Sequence, residues 1–137
     1  MRYMFLISSV EDLKPPPARL MEEIDKLSKQ PDVASRMVGQ GGLFPLSMAG
    51  ARIRLKGGKL HVMDGPFAET KEVLGGFAIF EVDTNEEALA SAIKFMELHR
   101  LHGEGWEGLC EMRPMFPEEH GGCAATAESM SALVAAQ

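Results

Sequence analysis

Two segments of this chain are apolar on both sides of an extended backbone, and they limit the folds open to it. Residues Tyr3 to Ile7 read YMFLI, a continuous run of strand-forming apolar residues of the kind found where a strand is covered on both faces. In GGFAIFEVD, Phe77 and Ile79 fall on one side of a strand, and Ala78, Phe80 and Val82 on the other. Strands of this kind belong in the middle of a sheet, and each of their faces needs something packed against it.

Only two long segments have helical spacing. After Pro15-Pro16-Pro17, ARLMEEIDKLSKQ puts Leu20, Ile24 and Leu27 on one face and turns Glu22, Asp25 and Lys26 away. Pro17 suits the first turn, and Pro31 ends the helix, because the residue before a proline is pushed out of helical space. The second segment, TNEEALASAIKFMELHRLH, opens with a capping box, Thr84 with Glu87 three residues on, and its periodicity assigns Leu89, Ala92, Ile93 and Met96 to the buried stripe.

Between the helices, Val33 to Val38 reads as a short strand and Gly39 to Gly42 as a turn. In ARIRLKGGKLHVMD, Ile53 and Leu55 alternate with Arg52, Arg54 and Lys56, and Leu60 and Val62 alternate with His61 and Met63 across Gly57-Gly58. Alternation on both sides of a Gly-Gly pair predicts a β-hairpin. Gly108 to Met115 supplies a last strand. With the hairpin set aside, the order is β-α-β-β-α-β, the ferredoxin-like split motif of an α+β fold. Two helices cover one face of such a sheet. The apolar character of the other face predicts a homodimer with sheets facing each other in an isologous pair.

A chain of 137 residues suits one domain, expected over residues 1–116, followed by a Gly- and Ala-rich tail over 117–137 that is a short helix near Glu128 to Ala136 or disordered. The net charge of −6, with no basic cluster evident, speaks against nucleic acid and anionic membrane surfaces as partners. MRYMFLISS is too short to span a bilayer and lacks the plan of a signal peptide, so a cytoplasmic location is expected, with Cys110 and Cys123 as thiols.

The stretch HVMDGPFAETKEVLGG, residues 61–76, crowds Asp64, Glu69, Lys71 and Glu72 between Gly-Pro and Gly-Gly. Conformation explains part of it. Asp64 can accept from backbone N–H groups in an Asx-type turn, Gly65 frees one backbone angle, Pro66 fixes the next, and Phe67 anchors the turn on the core. Gly75 and Gly76 mark a close approach of backbone, for which the hairpin is the candidate. The charged residues have no such explanation. They form either a solvated loop with weak surface ion pairs or a preorganised site.

DGPFAETKEVLGGF, preceded by GARIRLKGGKLHVM, resembles the signature of the YCII-related family, specifically its DGPF branch, and the likeness spans Arg2 to Met115. The resemblance implies a dimeric α/β barrel of the ferredoxin-like type. For activity it implies little: wider relatives include a dehydrochlorinase, and the same barrel hosts isomerases, monooxygenases and ligand-binding domains.

Phosphate loops, dinucleotide fingerprints, nucleophile elbows and metalloprotease helices are absent from the sequence, so no cofactor or metal is called for. Proton transfer is the chemistry left. Asp64 and Glu69 are the candidate catalytic carboxylates, since desolvation at a barrel mouth would raise a carboxylate toward neutral pH. Arg54, Lys71 and Arg113 are candidates to hold a substrate anion, with Tyr3 in the lumen or at the dimer interface. His61 is the histidine best placed to share the work, although alternation puts it on the opposite strand face from Asp64. His99 and His102 suit a helix-end or surface role better than metal ligation, and Trp106 a packing role. Two functions fit: a small cofactor-independent lyase or isomerase acting on a cyclic or aromatic metabolite, and a non-catalytic dimeric ligand-binding or regulatory module. In a third reading the motif serves dimer assembly alone.

Overall fold

The computed structural model describes residues 1–10, 14–63, 72–117 and 127–135. Their elements run β1 (Arg2–Ser9), α1 (Ala18–Ser28), α2 (Pro31–Ala34), β2 (Met37–Gly42), β3 (Arg52–Lys56), β4 (Lys59–Met63), β5 (Val73–Glu81), α3 (Asn85–His102), β6 (Gly108–Pro114) and α4 (Ala127–Ala135). Four strands make an antiparallel sheet in the order β2-β5-β1-β6. The two strands apolar on both sides, β1 and β5, are its centre. With the β3–β4 hairpin standing as a separate two-stranded sheet, this is the ferredoxin-like arrangement.

The register sorts side chains between the faces. Tyr3 opposes Phe80 and Pro114, and Phe5 opposes Ala78 and Met112, so these residues share the side that packs on the helices. There Tyr3, Phe5, Phe80, Val82, Ala88 and Ala92 form the core, flanked by Val33, Met37, Cys110 and Met112. The Phe5 and Phe80 rings stack with centroids 5.3 Å apart. Burying each ring stabilises the fold by roughly 2–3 kcal/mol. Cys110 is half-buried beside this core, and burial pushes its thiol above the usual value.

The α1 face is as its spacing predicts: Leu20 is buried, Ile24 and Leu27 are half-buried, and Glu22, Asp25 and Lys26 are exposed. At the start of α3 the expected cap forms, with Glu87 N–H donating to Thr84 Oγ1 at 3.1 Å, while the Glu87 carboxylate reaches one residue further back than in a capping box and accepts from Asp83 N–H at 3.1 Å. The buried stripe of α3 matches the expected one in part. Ala92 is buried and Met96 half-buried as expected, and Ala88 and His99 face inward with them, whereas Leu89 and Ile93 are 49% and 55% exposed. Two alanines let the helix axis come close to the sheet, and periodicity alone does not choose between adjacent stripes.

Residues 33–42 also depart from expectation. Pro31–Ala34 is a helical turn, and Met37–Gly42 is a strand that includes the glycines read as a turn. Gly41 is needed there: a Cβ on it would sit 2.8 Å from Cε1 of Phe77, whose ring crosses the edge strand on the face away from the helices.

Candidate functional site

Residues 64–71, which hold Asp64, Gly65, Pro66, Phe67, Glu69 and Lys71, lie outside the described residues. What is described is the frame around them. Chain leaves the sheet after β2 at Leu43, whose N–H donates to the Gly75 carbonyl at 2.9 Å, and it returns at Val73. Gly75 and Gly76 fall inside β5, at a register shift opposite Ile7 and Ser8. A Cβ on Gly76 would lie 3.1 Å from the Gly41 carbonyl oxygen, so the close approach is to β2 rather than to the hairpin.

The hairpin that leads into the segment has two chemically distinct faces. Ile53 opposes Val62 and Leu55 opposes Leu60. On the other face Arg54 opposes His61, Lys56 opposes Lys59, and Arg52 opposes Met63. Strand alternation thereby concentrates four cations and an imidazole on one side of ten residues. This corrects the expectation that the chain has no basic cluster. Arg54 and His61, considered separately in the sequence, are cross-strand neighbours on this face and both are exposed.

The sheet face away from the helices carries Arg113 beside Met4 and Ile79, Glu111 beside Leu6 and Phe77, and Leu109 beside Ser8 and Leu74. Arg113 is exposed on it. Tyr3 is not on this face. It is 4% exposed in the core, with its hydroxyl accepting from Asn85 Nδ2 at 3.1 Å, because an odd position on β1 points to the helices. The structure therefore removes Tyr3 from the lumen.

His99 stands in the last turn of α3, the helix-end place expected for it, but inside the protein rather than on its surface. It is 7% exposed, with its ring 4.7 Å from that of Phe95 and 4.5 Å from that of Trp106. Its Nδ1 lies 3.2 Å from the Phe95 carbonyl oxygen, which fits a neutral ring donating from Nδ1. Burial holds the imidazole below its usual 6.5. His99 and Trp106 together fix the turn from α3 into β6, where Gly103 and Gly108 leave room for the indole.

Comparison with known proteins agrees with this geometry. Residues 1–95 match the YCII-related domain. An uncharacterized protein of Rhizobium meliloti (strain 1021) is 37% identical over 71 residues, 52% of this chain and 56% of that protein, so the chain spans little more than half of the relative's length. A match over residues 1–95 takes in β1 through the middle of α3, including the hairpin and the segment it leads into. The chain belongs to the YCII-related family.

Proposed function

We propose that this protein is a DGPF-type member of its family that works as a homodimer with facing sheets and performs cofactor-independent proton transfer on a small anionic cyclic or aromatic metabolite, as a lyase or isomerase. The observation that carries the reading is the basic face of the hairpin. It gathers Arg52, Arg54, Lys56 and Lys59, with His61 opposite Arg54, immediately before the segment holding Asp64 and Glu69. A protein of net charge −6 that concentrates cations in one place offers an anion a local potential that the rest of its surface opposes. A guanidinium or ammonium can hold a substrate carboxylate or phenolate through charge-assisted hydrogen bonds. In this arrangement Arg54 and Lys71 bind the anion and Asp64 or Glu69 removes a proton, with Arg113, on the sheet face away from the helices, as a further candidate to hold the anion. The proton then returns to another atom of the substrate or departs with the leaving group.

The test pairs two substitutions. Arg54→Ala should weaken binding of small cyclic carboxylates and phenolates about 10-fold or more in calorimetric titration. Asp64→Asn should keep that binding and abolish proton exchange at the substrate carbon, followed by NMR in deuterated water. A wild-type protein that binds these compounds tightly without exchanging protons would replace the enzyme by a ligand-binding module. Unaltered binding in Arg54→Ala would refute the placement of the site.

A further inference from the structure

The tip of the hairpin carries two cations to which the proton-transfer reading gives no individual role. Gly57 and Gly58 join β3 to β4 with φ of 59° and 73°, both in the left-handed region. Two positive φ values mark a type I′ turn, whose twist matches the paired strands and whose two-residue length sets their register. That register puts Lys56 directly opposite Lys59. Like charges directly opposite each other destabilise a strand pair. The next pair on the same face is Arg54 with His61, which brings no carboxylate to offset the repulsion. The flanking sequence brings none either, because residues 33–63 contain no Asp or Glu in a chain that has twenty. Arg54, Lys56 and Lys59 are all exposed, and none of them has an ion pair among the described residues. The turn thus holds two ammoniums in register at a cost in stability, and an anion between them offsets that cost.

We infer that the small metabolite proposed above carries a phosphate group in addition to its carboxylate or phenolate, and that Lys56 and Lys59 hold the phosphate. The inference rests on the proposed role of Arg54 and names the substrate class for that site. The chemistry of the two rows sorts the two anions. A guanidinium presents a planar fork that matches a carboxylate bidentately, whereas an ammonium is a compact point charge suited to phosphate. A phosphate monoester carries about −1.5 to −2 at pH 7 with three acceptor oxygens, so one such group balances two ammoniums. Spacing supports the assignment. Arg54 and Lys56 are two residues apart on β3, so the rows are separated by about 7 Å along the strand. An aromatic ring with an anionic group at each end has a comparable span. A long polyanion suits the face less well. Outside residues 51–63 the chain has ten cations against twenty carboxylates, which repel an extended anion, and the basic face has no aromatic side chain other than His61 on which bases could stack.

The experiment is calorimetric titration of the full chain with 4-carboxyphenyl phosphate and with benzoate, in wild type, Arg54→Ala and K56Q/K59Q. Both lysines are exposed, and circular dichroism checks that the fold persists. Wild type should bind 4-carboxyphenyl phosphate at least about 10-fold more tightly than benzoate, and K56Q/K59Q should reduce that preference to about 2-fold or less. The preference should also shrink as salt is raised. Wild type that binds benzoate through Arg54 with no gain from the phosphate would overturn this inference and leave the proposed site standing. A preference retained in folded K56Q/K59Q would place the phosphate elsewhere and overturn it as well. Benzoate binding that is unaltered in Arg54→Ala, or no binding of either compound, would overturn the proposed site and this inference with it. Displacement of 4-carboxyphenyl phosphate by mixed-sequence duplex DNA at equal phosphate concentration would make the face a general polyanion surface and overturn the small-substrate assignment. Lys59→Glu tests the repulsion directly: by pairing opposite charges it should slow hydrogen exchange of the hairpin amides in the free protein while removing the preference for the phosphate. Exchange no slower than in wild type would overturn the electrostatic argument.

Discussion

Replacing His99 by Phe should remove a component of the acid sensitivity of this fold. The ring is nearly sealed between Phe95 and Trp106, and burial holds it below its usual 6.5. Unfolded chain takes up a proton as the pH falls through about 6.5, whereas the folded chain does not until a lower pH. The stabilising contribution is therefore present above pH 6.5 and is lost as the pH falls toward the depressed folded value. Within that window the slope approaches about 1.4 kcal/mol per pH unit for one group. Protonation would also place an N–H at Nε2, for which no acceptor stands among the described residues. Phe keeps the aromatic contacts and gives up one hydrogen bond to the Phe95 carbonyl, so at pH 7.5 the variant should lie within about 1 kcal/mol of wild type. Urea unfolding followed by tryptophan fluorescence and circular dichroism at pH 7.5, 6.5 and 5.5 measures both quantities. Lys26, the N-terminal ammonium and Arg100 hold Glu23, Glu81 and Glu97 respectively below the usual carboxylate range, so their stabilising contributions are lost only at lower pH than that of His99, and they are common to both proteins. The other histidines are common to both proteins and cancel in the difference. Parallel pH dependence in wild type and H99F would show that the folded chain protonates His99 freely, and the reasoning from burial would fail.

Two further predictions concern the scaffold. Gly41→Ala should cost about 1–3 kcal/mol, since the new Cβ would meet the Phe77 ring at 2.8 Å. The cost should shrink when Phe77 is also changed to Leu, and equal costs in the two backgrounds, measured by denaturant midpoint, would refute the contact. Thr84→Ala should lower stability by about 1 kcal/mol through loss of the cap on α3, and no change in midpoint would mean that the Glu87 N–H finds another acceptor.

Several features of the fold are determined by local pattern. The order of elements, the central place of β1 and β5, the hairpin about Gly57-Gly58 and the cap at Thr84 each follow from periods of two or 3.6 residues and from turn and cap chemistry that act within a few residues. The structure bears them out in register and hydrogen bonds. The two-faced hairpin was also present in the alternation of RIRLK and KLHVM. Pairing the strands turns two alternating runs into one basic and one aliphatic surface, and that step makes Arg54 and His61 neighbours.

Other features depended on which surfaces meet. β2 has weak strand propensity because half of Met37–Gly42 is glycine, and it is a strand because β5 offers it hydrogen bonds and Phe77 requires Gly41 beneath it. In α3 the sequence defines adjacent apolar stripes that share Ala92, and only the approach of the helix to the sheet selects Ala88 and His99 over Leu89 and Ile93. The same holds for Tyr3 and His99. A strand residue's face is known from sequence only relative to its neighbours, and a buried histidine is recognised by the rings around it. Periodicity is a property of one segment, whereas burial belongs to a pair of surfaces, and for this chain only the tertiary structure decided those pairs.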